Sequence, residues 1–308
     1  MTSVEAGPAD LAHDTKVVRD PDVAGRYHGT LPNHWDYLLP SGGAVMTLAL
    51  RAAQAEISDS DMRLLSATSI FCKPVPATTC RLDVTVLRRG KTVVQLRTSL
   101  FVADELAMEV VASFGRRRIG PAVQGAAFPA VLSLADSVVT VGGTPLSYPH
   151  SAGATSNPYA MFRFYQQLET RIADGDIHWR DMDRFVAGPA RYGRWMRYRL
   201  PQRDQAGDFD RLALAPLIDT IPSALHRAIG PGDYRFYAPS LDLTLHVVAD
   251  TSREWLMLRS YVRAAADGYG IGEIEVWDDE CRLIAYGTQA MYLHTVAGTP
   301  PVVDASRR

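Results

Sequence analysis

The sequence is short of most features that would mark a specialised class. Cysteine occurs only at Cys72, Cys80 and Cys281, an odd number with no CxxC spacing. That fits the reduced thiols of a cytoplasmic protein better than a disulfide framework. Charge of one sign is lacking too. Lys+Arg 32 against Asp+Glu 34 leaves a formal net charge of -2, so no field recruits nucleic acid or an anionic membrane surface. No apolar run approaches the roughly 18 residues of a membrane span. The opening "MTSVEAGPAD" has neither the basic nor the apolar region of a secretory signal. There is no GxSxG elbow and no P-loop, and the eight histidines fall into no HExxH or Cys/His zinc pattern. A soluble cytoplasmic protein is expected, without metal or other cofactor and without a nucleic-acid or membrane partner.

What is present is an ordinary core former: 47% of residues are apolar and 21% charged, enough for one large domain or two of typical size. Residues 1–25 are polar and aperiodic and read as a flexible tail. Residues 26–118 open with Ser41, Gly42 and Gly43 before an Ala/Leu-rich helical segment that ends before Ser58. Three bursts of alternation follow, broken at "RRGK" and "ADE", which predict an antiparallel meander. Residues 119–157 are rich in Gly, Pro and Ser and read as a linker, with "AVLSLADSVV" as a short element inside it.

The pattern then returns over 158–297: a strand in "RYGRWMRYRLP", a helix over 212–229, and a second meander, before a tail at 298–308. A shift of 175 residues places Ala44 on Asp219 and the turn residues Asp104 and Glu105 on Asp279 and Glu280. Two copies of helix-then-meander indicate a tandem α+β duplication, its period far too long for a solenoid. Two such units side by side can join their sheets and cover an exposed edge.

Chemistry concentrates in a few places. "LALAPLIDTIPSALHRAI" is apolar almost throughout yet holds one carboxylate, Asp219, and an unpaired buried carboxylate is costly. Pro222 cannot continue a helix, so the segment breaks or kinks just after Asp219. Two readings stay open: a functional acid at the break, or a cap for a second short helix with Pro222 in its first turn. Gly42 and Gly43 offer free N–H groups at a helix start that could cradle a substrate phosphate; close approach of the turn to the neighbouring sheet explains them slightly better. In "YAPSLDLTLHVV" alternation sets Ser240, Asp242, Thr244 and His246 on one face. Gln289 stands alone among small and apolar residues in "AYGTQAMYL". "GYGIG" lacks the third spaced glycine of a dinucleotide loop and reads as a strand twist or bulge.

Together these segments resemble a known family. "LIDTIPSAL", "PSLDLTLHV" followed by "EWLMLRS", and "RLIAYGTQAMYL" are similar to the C-terminal half of the acyl-CoA thioesterase II family; "PSGGAVMTLALRAA", "FCKPVP" and "VVASFG" resemble its N-terminal half. The resemblance implies a double hotdog fold and hydrolysis of acyl-CoA or another acyl thioester without a cofactor. It implies a water oriented by Asp219, Ser240 and Gln289, and further assembly into a homodimer or higher homo-oligomer. Ser240 stands where the family commonly has threonine: the hydroxyl is kept, but not the methyl that limits its rotamers. Two other readings accompany this one. A hotdog hydratase or dehydratase pairs an Asp with a His five residues on, whereas His226 follows Asp219 by seven; the other is a non-catalytic acyl-CoA-binding protein.

Overall fold

Alternation in the sequence becomes one-sided burial in the fold. In "DLTLHV" the residues Leu243, Leu245 and Val247 are buried while Asp242, Thr244 and His246 are not, as expected for a sheet with one face on a core. The computed structural model describes residues 7–141, 162–174, 187–230 and 234–303. The first half carries α1 (Leu11–Asp14), β1 (Val17–Arg19), β2 (Arg26–Thr30), α2 (Gly42–Ile57), β3 (Arg63–Phe71), β4 (Thr79–Arg89), β5 (Val93–Val102), β6 (Glu105–Gly115) and β7 (Val138–Val141). The second carries α3 (Arg163–Gln166), β8 (Leu168–Asp174), β9 (Arg191–Tyr198), α4 (Leu214–Ile218) and α5 (Pro222–Ile229). It ends with β10 (Arg235–Tyr237), β11 (Asp242–Val247), β12 (Leu256–Ala266), β13 (Tyr269–Asp278), β14 (Leu283–Tyr292) and β15 (His294–Ala297).

The described strands form a 13-stranded sheet in the order β1-β2-β4-β5-β6-β3-β11-β14-β13-β12-β9-β8-β7, with β10 and β15 in a separate pair. Read outward from its middle, the order β3-β6-β5-β4-β2 is answered by β11-β14-β13-β12-β9. The chain is therefore two copies of one α+β unit, a double hotdog, related across the antiparallel pair β3 and β11. Thr68 lies opposite Thr244 at that seam, and their hydroxyls are 3.1 Å apart. Each half of the sheet curves over a helix, α2 in the first unit and α4 with α5 in the second. Nearly the whole surface of α2 is buried, from Gly43 through Ala53 on most positions, because it packs on its own sheet and on the second unit's helix. At the crossing Gly43 is obligatory: a Cβ there would lie 2.3 Å from the Ala215 carbonyl oxygen. A second clasp joins the units where Asp250 meets Arg211, Arg63 and Arg117, with Arg211 also donating to the Leu64 carbonyl at 2.6 Å.

Two local expectations change and two hold. The segment read as a tail at 1–25 is ordered over 7–25: Leu11 is fully buried, β1 pairs with β2, and the Ala9 and Ala12 N–H groups donate to Gln167 and Gln202 of the second unit. The linker at 119–157 is not free where it is described. Phe128, Val131 and Leu134 pack on Trp195 and Trp277 outside the second sheet, and β7 pairs with β8; residues 142–157 lie outside the described residues. The helix at 212–229 is two helices, α4 and α5, because Pro222 has no N–H to continue the first. Gly272 of "GYGIG" lets α5 approach: a Cβ would sit 2.3 Å from the Ile221 side chain, beside a register shift between Val262 and Ala264.

Replacing Gly43 by alanine forces two backbones apart at a packed crossing. Gly43→Ala is expected to lower unfolding free energy by about 1–3 kcal/mol, read as a reduced urea midpoint at unchanged slope.

Candidate active site

The first N–H groups of any helix lack partners within it. At the start of α2, Ser41 accepts from the Ala44 N–H at 3.1 Å, and the Gly43 N–H donates to Asp219 Oδ2 of the second unit at 3.0 Å. Asp219 reaches this position because α4 stops at Ile218. It is the C-cap of that helix, with φ -76° and ψ 27°, and Pro222 then takes the first position of α5. Asp219 does not cap α5; its carboxylate caps α2, where the positive end of the helix dipole favours an anion. Of the two readings left open by the sequence, the cap of a second short helix is not realised.

The other carboxylate oxygen faces two side chains from separate elements. Ser240, bridged to Met291 just before β11, donates its hydroxyl to Asp219 Oδ1 at 3.0 Å. Gln289, on β14 opposite Gly272, donates Nε2 to the same oxygen at 2.8 Å and to Ser240 Oγ at 2.6 Å. Asp219 is 7% exposed and Gln289 1%, so these bonds are made out of water, where an unmet polar group costs most. One atom of the cluster is unmet: Gln289 Oε1 is buried without a hydrogen-bond partner. Burial pushes the Asp219 carboxyl up to about 6, and the Gly43 N–H, Ser240 and Gln289 restrain the rise by bonding the charged form.

All three residues proposed from the resemblance meet at one point. Gly42 and Gly43 also belong to it, but in a different role from a phosphate cradle. The Gly43 N–H holds the chain's own carboxylate, and a Gly42 Cβ would lie 2.8 Å from the Phe71 ring. The close approach is to α4 and Phe71. His226 stands apart: it stacks on Phe236 at 4.4 Å between ring centroids, and burial lowers its imidazole to about 4. It does not pair with Asp219. Tyr37 went unnoticed in the sequence, where "DYLLPSGG" has no period to single it out. Burial holds its phenol well above the ordinary value, with Tyr165 and the Asp219 charge adding to the effect.

The sequence matches the family model of the acyl-CoA thioesterase N-terminal domain over residues 31–115 and that of the C-terminal domain over residues 142–293. The chain belongs to the acyl-CoA thioesterase family. It is a thioester hydrolase. Among solved structures, a hot dog fold protein of unknown function from Alicyclobacillus acidocaldarius is 20% identical with a TM-score of 0.75, covering 95% of this chain and 98% of that one. A thioesterase candidate from Novosphingobium aromaticivorans is 25% identical with a TM-score of 0.70, covering 90% and 97%. An acyl-CoA thioesterase II from Mycobacterium marinum is 18% identical with a TM-score of 0.66, covering 93% and 98%. A comparison with curated proteins finds no significant match.

The raised carboxyl of this hydrolase has a consequence for stability. A folded value of about 6 against an ordinary 3.8 means the folded state holds the proton more tightly. The contribution is therefore fully present below the ordinary value and is lost as pH rises through about 6. At pH 8 the ionised Asp219 costs about 3 kcal/mol. The urea midpoint of wild type is expected to fall as pH rises from 4 to 8, and Asp219→Asn, which has no carboxyl to ionise, is expected to lack that fall. A wild-type midpoint that falls no more steeply than that of Asp219→Asn over this range would show that the carboxylate is not under strain.

Proposed function

We propose that this thioesterase hydrolyses acyl-CoA to free acid and CoA with a water activated by Asp219, Ser240 and Gln289. The observation that carries the reading is the convergence of three elements on one buried carboxylate. Capping α2 needs only the Gly43 contact; Ser240 and Gln289 add bonds that a cap does not require. In the reaction the Asp219 carboxylate accepts one proton of the water while Gln289 Oε1, buried and without a protein partner, accepts the other O–H. The water oxygen then attacks the thioester carbon, the tetrahedral intermediate expels the CoA thiolate, and the proton held by Asp219 passes to sulfur. Ser240 accepts from Gln289 and donates to Asp219, which locks the amide orientation and leaves Oε1 turned toward the water. A carboxyl near 6 is ionised at neutral pH and is a stronger base than an ordinary aspartate.

Three free cysteines, and the absence among the described residues of a helix long and apolar enough to cross a membrane, accord with acyl-CoA turnover in the cytoplasm. The hydratase alternative loses its acid/base partner, since His226 faces Phe236.

Release of free thiol from acyl-CoAs of varied chain length tests this reading. Asp219→Asn and Gln289→Ala are each expected to lower kcat by about 10²–10⁴. Wild-type kcat/KM should fall about tenfold per pH unit below about 6 and level off above it, as a base that must be ionised requires. Thiol release by Asp219→Asn at close to the wild-type rate would sink the assignment. So would hydration of an enoyl thioester without thiol release.

A further inference from the structure

Arg194, on β9, is 4% exposed, yet it forms no ion pair among the described residues. Other buried arginines have an acid beside them: Arg211 has Asp250, and Arg227 and Arg259 lie next to Asp174. Burying a guanidinium without a carboxylate is costly unless its donors are met, so its contacts identify what it holds. Nη2 donates to the Thr220 carbonyl and to Ser223 Oγ, each at 3.3 Å, and Nη1 donates to Tyr165 Oη at 3.2 Å. Its charge also lies 5.6 Å and 5.4 Å from the rings of Tyr165 and Tyr192.

Thr220 and Ser223 bracket the break between α4 and α5. That break is held by few hydrogen bonds of its own. Pro222 donates nothing, and the Asp219 N–H reaches the Ala215 carbonyl only at 3.3 Å and the Ser223 N–H the Thr220 carbonyl at 3.4 Å, while the Ala224 N–H meets the Ile221 carbonyl at 3.0 Å and the Thr220 hydroxyl the Leu217 carbonyl at 2.8 Å. Arg194 ties the same stretch to β9, a strand paired on both sides by β8 and β12. The guanidinium acts on a second wall as well. It can only donate, so the Tyr165 oxygen accepts from it.

We propose that Arg194 is a positioning residue for thioester hydrolysis: it ties the Asp219-bearing break to β9 and sets the direction of the carboxylate toward Gly43, Ser240 and Gln289. This rests on Asp219 being the base. Arg194 touches neither the carboxylate nor the water, and its effect falls on the chemical step and leaves substrate binding alone.

The test is steady-state thiol release by the full-length chain, with folding followed by circular dichroism and urea titration. Arg194→Gln is expected to lower kcat about 10²-fold, the cost of misplacing a reacting group by about 1 Å, with KM within about threefold. Arg194→Lys keeps the charge but lacks the fork that grips two acceptors, and should recover part of the lost kcat. A merely structural arginine would change the folded fraction and leave kcat per folded molecule unchanged. Should Arg194→Gln fail to fold, Ser223→Ala removes one grip while leaving the cation in place, and a several-fold fall in kcat at constant KM is expected. Wild-type kcat in folded Arg194→Gln overturns the proposal, as does wild-type kcat in Ser223→Ala if Arg194→Gln does not fold. Asp219→Asn run alongside separates the two ideas: if it is inactive while Arg194→Gln is not, only the positioning role fails. If Asp219→Asn is active, the assignment of the base fails with it.

Discussion

A carboxylate buried where two like units meet must be answered by donors from both. Asp219 belongs to the second unit, and one of its oxygens is taken by the first N–H groups of α2 in the first unit. That contact requires α2 and α4 to cross with backbones touching, which only a residue without a side chain at Gly43 permits. It also requires α4 to stop so that its last residue can turn toward α2, which Pro222 enforces. The seam of β3 on β11 sets the spacing that makes all of this possible. Sheet, helix crossing and helix break are three conditions on one interaction.

The two units share a plan and divide the labour. The first contributes the positive end of a helix; the second contributes Asp219, Ser240 and Gln289. At the position of the first unit that matches Asp219 stands Ala44, itself buried in α2, so the architecture does not call for an acid. Burial raises the carboxyl, and the helix end with two side-chain donors hold the rise to about 6. Burial favours the neutral acid, and the donors favour the ionised form. The balance is struck by groups from four elements.

Much of this is legible in the sequence. The strands β4 to β6 and β12 to β14 are half-buried, so they carry their period in the sequence and were expected as two meanders. Pro222 marked the break. Asp219, Ser240 and Gln289 were reached through family resemblance, since no local pattern distinguishes Ser240 or Gln289 from surface decoration. The seam strand β3 escaped notice because its burial does not alternate. Residues 7–25 read as a tail because their order comes from Gln167 and Gln202 far along the chain.

By itself, then, the sequence determined the repeated unit, the strands with a clean period and the interrupted helix, because these follow from local sterics and from which side of an element faces the core. Tertiary structure alone decided what Asp219 binds, what Gly43 is for and why Arg194 is buried. The residues that hold Asp219 lie up to 176 positions away, and a hydrogen bond of 3 Å depends on how two helices cross, which no local period encodes.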